Sequence, residues 1–449
     1  MKKQIAICAP VTSKSGYGAH SRDIVRAILS LNKYELKILD VRWGSCQRNA
    51  LDEIKDKNII DCFSDQLTRK PDAYIDIRIP NEFEQICDIN IGITAGIETT
   101  SVSTKWIEGC NKMTSIIVPS VHSANSFLNT SYDMLDTKDN NKKIGSLKVE
   151  KPMHVIFEGA DANIYKPLKV NEMDTNILKL LNDTISEQFC FLFVGQWGKG
   201  NMGEDRKDIG TLIKTFIETF ANRSKQPALI LKTNGAGYSC GEESNIINNI
   251  NLIKAMFPDT VKMPNIYLLH GDLTDDEMNS LYNHPKVKAM VSFTHGEGYG
   301  RPLLEATMVG LPVIASDWSG QKDFLTGEHS ILLGGELQQI PQNIVWKDIL
   351  IPESAWFNIN IDQARQSLSY MFSNYMIMKR KAETLMRMNR DKFTLKKMAV
   401  QFDKYLDSIF NSFGEQQIKL PEKIKLPKLK KVEKPQKIEL PKLKRIVKK

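Results

Sequence analysis

Two glutamates, Glu297 and Glu305, flank a glycine-rich turn that reads His295-Gly296-Glu297-Gly298-Tyr299-Gly300-Arg301-Pro302-Leu303-Leu304-Glu305. The apolar run 289–293 before the turn has the composition of a buried strand, and the run from Leu303 to Val309 behind it reads as a helix. Pro302 suits the first helical position, where its missing N–H costs nothing. A strand, a glycine turn and a helix start together form an anion site. Free backbone N–H groups and the positive helix end converge there, and the glycines let a phosphate come close. Carboxylates beside such a site would repel phosphate, so Glu297 and Glu305 suit the hydroxyl groups of a sugar and a ribose.

The elements that must position this turn form two series. Short β-branched runs at 4–9, 36–41, 74–79, 89–93, 115–119 and 154–157 alternate with longer amphipathic stretches, and a second series follows at 189–194, 228–232, 266–269, 289–293, 312–315 and 330–333. Several runs are apolar throughout, as in parallel strands covered on both faces. Strand–helix alternation over this length predicts two doubly wound α/β domains. The expected boundaries are 1–165 for the first domain, 166–390 for the second, and 391–413 for a helix that packs back toward the first. That helix places Met398, Phe402, Tyr405 and Leu406 at helical spacing. The lysine-rich stretch 135–151 reads as a mobile surface loop.

The 449 residues, 41% hydrophobic, suffice for two or three packed domains. The net charge of +8 is unevenly placed: residues 414–449 hold thirteen Lys or Arg and four Glu, and the rest of the chain is close to neutral. This excludes a strongly basic folded body built for nucleic acid. The tail repeats Ile424-Lys425-Leu426-Pro427-Lys428-Leu429-Lys430 as Ile438-Glu439-Leu440-Pro441-Lys442-Leu443-Lys444, and its prolines forbid a continuous helix. It reads as a disordered basic appendage, or as a tether to an anionic membrane surface or nucleic acid. No apolar run approaches the roughly 20 residues of a membrane span. The N-terminal run reads as a first strand, so the expected location is cytoplasmic or membrane-peripheral. Seven scattered cysteines without a Cys-x-x-Cys pair indicate reduced core thiols, with neither a disulfide framework nor a zinc site.

The block Gly296-Glu297-Gly298-Tyr299-Gly300-Arg301-Pro302-Leu303-Leu304-Glu305-Ala306, then Gly310-Leu311-Pro312-Val313-Ile314-Ala315-Ser316-Asp317 and Ser319-Gly320, resembles the Glu-x7-Glu region of retaining glycosyltransferases of the GT-B fold, family four (glycosyl transferases group 1). The resemblance runs from about Lys3 to Ile409. Gly16-Tyr17-Gly18 is similar to the N-terminal glycine loop that closes on the donor phosphates. Ile97-Glu98-Thr99-Thr100 resembles an acceptor-side segment, and Glu158-Gly159-Ala160-Asp161 with Tyr165-Lys166-Pro167 the interdomain stretch. Val194-Gly195-Gln196-Trp197 with Arg206-Lys207 resembles the first strand–loop–helix of the donor domain, and Gly271-Asp272-Leu273-Thr274 the loop lining the nucleotide base. One departure is Gln196, which stands where many members carry Arg.

The resemblance implies two Rossmann-like domains facing across a cleft and a nucleotide diphosphate sugar, UDP- or GDP-linked, as donor. It implies catalytic roles for Glu297, Lys207 and Glu98. Donor contacts are implied for Gly16, Gly18, Arg206, Lys232, Leu273, Gly298, Tyr299, Gly300, Arg301, Pro302, Leu303, Leu304 and Glu305. Lys207 is otherwise a solvated lysine at a helix start, and Glu98 a satisfied structural carboxylate. His295 and His122 read as hydrogen-bonded residues of the pocket edge. Cofactors are expected to be none and no metal is expected, because cationic groups neutralise the leaving diphosphate. The expected acceptor is a glycan, a lipid-linked glycan or a protein. The alternatives are a modified DNA base as acceptor, or a catalytically weak sugar-nucleotide-binding protein.

Overall fold

The computed structural model describes residues 2–235 and 237–418, with 414–418 as helical backbone. Residues up to Leu406 form one compact unit. The basic repeats, with their expected tether role, lie outside the described residues.

Two six-stranded, all-parallel sheets carry the fold. The first orders its strands as Tyr34–Asp40, Lys3–Ala9, Ala73–Ile77, Asn90–Ile93, Ser115–Val118 and Met153–Val155. The second runs Ile266–Leu269, Ala228–Asn234, Cys190–Gln196, Val287–Ser292, Val313–Ser316 and Ile331–Leu333. In chain order these are the 2-1-3-4-5-6 and 3-2-1-4-5-6 arrangements of doubly wound folds. Such folds bind ligands at the carboxyl ends of the strands where the order reverses. In the second sheet that point lies between Cys190–Gln196 and Val287–Ser292.

Burial on both faces explains the apolar strands. Phe191, Phe193, Leu229, Leu231, Ala289 and Val291 are fully buried. Against them packs the helix Ile209–Phe220, whose Ile209, Leu212, Ile213, Phe216, Ile217 and Phe220 fall at spacings of three and one and are all fully buried. Each such side chain contributes roughly 1.5–3 kcal/mol on burial, so this helix is fixed by its apolar stripe. The residues that lead into it, Arg206 and Lys207, are therefore held at a defined place.

All twelve strands of the two sheets fall at the positions read from the sequence. Three expectations need correction. The stretch read as a mobile loop belongs largely to an antiparallel hairpin, Ser131–Asp136 with Lys142–Lys148. Tyr132 and Leu147 at its base pack on the first domain's core, which fixes the register despite the polar tip. Gly16 and Gly18 are not in a loop: they form the first turn of the helix Gly16–Leu31, capped by the Ser15 hydroxyl, which accepts from Gly18 N at 3.0 Å. The last helix, Leu395–Ile418, runs past the expected end at 413. The cysteines are all free, but only Cys8, Cys110 and Cys190 are buried and Cys240 is exposed.

The chain passes between the two halves twice, and the two passages lie side by side. Ala160 N donates to the Phe393 carbonyl at 3.0 Å, and Leu395 N donates to the Ala160 carbonyl at 2.8 Å.

Candidate active site

Arg206 and Lys207 follow the strand Cys190–Gln196, and Glu297 follows Val287–Ser292, so they meet at the reversal point of the second sheet. Lys207 and Glu297 are 8% and 7% exposed. Lys207 Nζ donates to Glu297 Oε1 in a close ion pair. Arg206 Nη1 reaches Glu297 Oε2 at 3.3 Å, the Gly296 carbonyl at 3.1 Å and Glu98 Oε1 at 3.5 Å. Burial alone would raise the Glu297 carboxyl, but Lys207 and Arg206 hold it below the usual carboxylate range. Burial pushes the Lys207 ammonium below its ordinary value, against the pull of Glu297. The result is an alternating chain of charges, Glu98, Arg206, Glu297 and Lys207.

The supports of this chain are local. Asp205 accepts from Lys207 N at 3.0 Å and from Ile209 N at 3.1 Å, which caps the helix behind the two cations. His295 Nδ1 lies 2.9 Å from the Phe357 carbonyl and Nε2 lies 3.1 Å from the Gly203 carbonyl, and the ring stacks on Trp356. It buttresses the Arg206 loop. His122 instead packs edge-on against Trp318, and burial pushes its pKa down to about 4.

The glycine turn sits tightly between the halves. A Cβ on Gly298 would stand 2.0 Å from the Ala95 carbonyl oxygen, and one on Gly296 would stand 2.0 Å from that of Glu98. The Gly298 carbonyl accepts from Ser120 Oγ at 2.6 Å, and Glu297 N donates to Ser319 Oγ at 2.9 Å. Gly300 begins the helix Arg301–Met308 with φ +97, a conformation that suits glycine. Pro302 takes its second position.

The helix start differs from expectation in one respect. The N–H groups of Leu303 and Leu304 both donate to the Gly300 carbonyl, at 2.9 and 3.2 Å. Gly300 is the N-cap, and its carbonyl accepts the first hydrogen bonds of the helix. The amides left unbonded among the described residues are those of Gly298, Tyr299, Gly300 and Arg301. The buried side chains of Leu303 and Leu304 serve packing.

A second polar cluster surrounds Arg301. Its Nη1 pairs with Asp23 of the N-terminal helix, and its Nε donates to Glu305 Oε1 at 2.9 Å. Tyr282 Oη donates to Glu305 Oε2 at 3.1 Å. Burial pushes Glu305 up to about 7, against the pull of Arg301. Further along the rim, Lys232 Nζ donates to the Gly271 carbonyl at 2.6 Å, and Lys14 pairs with Asp272 across the halves. Leu273 is half-buried in this loop, next to Thr274, which caps the following helix. Gly16 has nothing within 4 Å of an added Cβ, so open space adjoins the first turn of its helix, whereas Gly18 packs against the Ser13 carbonyl.

Glu98, Arg206, Lys207 and Glu297 thus converge, and Arg301 and Glu305 form a neighbouring group. Lys232 and Leu273 lie on the next loop over. Asp23 was not singled out in the sequence, and no individual role was read for Ser120, Ser319 or Tyr282. The partners of these four lie 278, 178, 22 and 23 residues away. Among the described residues, no group of three His, Cys, Asp or Glu could hold a metal ion, and no helix is long and apolar enough to cross a membrane.

Comparison with known proteins agrees with this architecture. No curated protein matches the sequence. Among solved structures, the chain is similar to sucrose-phosphate synthase from Thermosynechococcus elongatus, at 12% identity and a TM-score of 0.58 over 92% of this chain and 100% of that one. It is similar to Anabaena HepE in complex with UDP-glucose, at 13% identity and a TM-score of 0.58 over 90% and 99%. It is also similar to a glycosyltransferase from Rickettsia africae, at 13% identity and a TM-score of 0.59 over 92% and 99%. At these identities the likeness establishes the fold. Residues 262–333, which include the glycine turn and both of its glutamates, match the family glycosyl transferases group 1. The chain has the GT-B fold of two parallel-sheet α/β domains, and the segment that matches the group 1 glycosyltransferase model lies at the reversal point of its second sheet.

Proposed function

We propose that the protein transfers a sugar, with retention and without a metal, from a nucleotide diphosphate sugar to a glycan, lipid-linked or protein acceptor. The observation that carries this reading is the Lys207–Arg206–Glu297 cluster beside the free amides of residues 298–301. An entering diphosphate exchanges places with the Glu297 carboxylate as partner of the two cations. Glu297, released, turns to hydroxyls of the sugar. Glu305, one turn into the helix, takes the ribose diol. Arg206 supplies the positive charge that Gln196 lacks. Two similar structures, HepE in complex with UDP-glucose and the Escherichia coli trehalose-6-phosphate protein bound with UDP-2-fluoro glucose, make UDP-sugars the first donors to test.

The bond from the anomeric carbon to the diphosphate oxygen breaks, and its electrons stay on the leaving group. The acceptor oxygen bonds to the same carbon from the same face, and its proton passes to the departing phosphate. Lys207, Arg206 and the turn amides stabilise the charge that develops on that phosphate. Glu98, paired with Arg206, faces the acceptor side. Closure of the seam at Gly298 against Ala95 excludes water. The cytoplasm, where nucleotide sugars are made, is the proposed location.

Calorimetry with UDP, GDP and their glucose and mannose conjugates tests the reading. One diphosphate series should bind to the wild-type chain, equally well with and without EDTA, and bind at least tenfold more weakly to Lys207→Ala. A wild-type chain that binds none of them refutes it.

A further inference from the structure

The passage from the first sheet to the second carries a carboxyl group that the reaction described above does not use. Residues 156–160 are all buried. Their backbone is pinned by the Ala160 hydrogen bonds to 393 and 395, and a Cβ on Gly159 would stand 2.7 Å from the Leu395 backbone. On this fixed support Glu158 is 7% exposed. No hydrogen bond or ion pair reaches its carboxyl among the described residues. Its oxygens are not among the fully enclosed, unpartnered polar atoms, so they face space that an entering group can reach.

The surroundings indicate where the partner comes from. The Glu158 carboxyl lies within electrostatic range of Arg301, Asp23, Glu305 and Glu297. Tyr17 and Tyr299 also sense its charge. The Tyr299 hydroxyl, which senses that charge, is buried without a partner. A polar group bound beside Arg301 and the two glutamates of the donor site would therefore be within reach of the Glu158 carboxyl.

We propose that Glu158 is a third carboxyl of the donor pocket, a positioning residue that hydrogen-bonds a hydroxyl of the transferred sugar. This rests on the donor-site reading above. Burial pushes the Glu158 pKa up to about 8. At neutral pH the group is therefore a neutral acid that donates one hydrogen bond and accepts another, and it adds no negative charge against the diphosphate. Above pH 8 it ionises. It then faces Asp23 from the N-terminal helix and Glu297 and Glu305 from the turn and its helix. Only Arg301 opposes them, while Tyr17 and Tyr299 stay neutral.

The test is a ratio of affinities on the full chain, sugar nucleotide against parent diphosphate (UDP-glucose against UDP, GDP-mannose against GDP), by calorimetry at pH 7 and pH 9. Glu158→Ala should lower the ratio about tenfold at pH 7, and Glu158→Gln, which keeps a neutral donor and acceptor, less than threefold. Raising the pH to 9 should lower the ratio in the wild type by a similar factor and leave Glu158→Gln unchanged. If the ratio is the same in Glu158→Ala as in the wild type, or shifts with pH equally in the wild type and Glu158→Gln, the assignment is overturned. Should Glu158→Ala fail to fold, the pH comparison with Glu158→Gln decides alone. If the diphosphates bind normally but the ratio does not move, Glu158 alone is misassigned; if no diphosphate binds, the donor reading falls too.

Discussion

Lys207 and Glu297 can be separated genetically, and the structure indicates that the two single substitutions are unequal. The paired side chains are 10% and 9% exposed. Breaking a buried pair by removing one partner costs about 3–5 kcal/mol, because the other charge is left behind. Lys207→Met leaves Glu297 with Arg206 still at 3.3 Å, so its cost should fall at the lower end of that range. Glu297→Gln leaves Lys207 and Arg206 as two like charges side by side, so its cost should be higher. The double variant leaves only Arg206, with Glu98 still 3.5 Å away, and should cost well below the sum of the singles, with a coupling of about 1–3 kcal/mol. Urea unfolding followed by tryptophan fluorescence measures all four proteins. Saturating UDP or GDP then supplies an independent reading. A ligand at about 100 times its dissociation constant stabilises by about 2.7 kcal/mol. That increment should vanish in Lys207→Met and persist or grow in Glu297→Gln, where the phosphate no longer displaces a carboxylate. Additive single substitutions, together with an equal nucleotide increment in Lys207→Met and the wild type, would show that the pair is not the phosphate site.

Two further outcomes are expected. Gly298→Ala places a methyl group 2.0 Å from the Ala95 carbonyl oxygen, and both atoms belong to backbones that cannot turn aside. The halves should stay folded while the seam fails to close, read as a larger radius of gyration in solution scattering with UDP present and at least tenfold weaker binding; unchanged values would mean the seam is not a closing contact. The dependence of stability on pH should also change character near pH 6.5. Glu158 and Glu305, raised to about 8 and about 7 by burial, keep protons that the unfolded chain releases above pH 4.5, so their contribution declines as pH rises through the folded values. His20, His122 and His284, lowered to about 4 by burial, contribute stability that is complete above pH 6.5 and is lost as pH falls toward 4. Melting temperatures should therefore decline from pH 6.5 to 8, less so in Glu158→Gln, and the histidines should offset the trend below pH 6.5; a rise from 6.5 to 8 would contradict the burial of the two carboxyls.

Both sheets were legible in the sequence because parallel strands covered on two faces are apolar throughout, and runs such as Phe189 to Val194 say so directly. The glycine turn was legible because Gly300 answers a backbone need that few other residues meet. The hairpin at 131–148 was not, since its outer half is polar and only Tyr132 and Leu147 touch a core. The first turn of the N-terminal helix was read as a loop from its resemblance to a glycine loop, although the Ser15 cap three residues before Gly18 is a local helix-start signal. Asp23, the partner of Arg301, and Ser120, the partner of Gly298, lie 278 and 178 residues away. Their pairing depends on how the two sheets face each other, which no window of sequence records.

The side-by-side passages at Ala160 and at Phe393–Leu395 behave as the spine of a book. A single thread between two bodies permits twisting, sliding and bending, whereas two bonded threads leave chiefly rotation about the line they share. Displacement then grows with distance from that line. Glu158, two residues from the pivot, moves least, and the seam residues at the rim carry the long lever arm. Opening the protein by a few degrees would unlatch the rim contacts while leaving Glu158 in place, so a hinge of this kind would act at the rim and spare the spine.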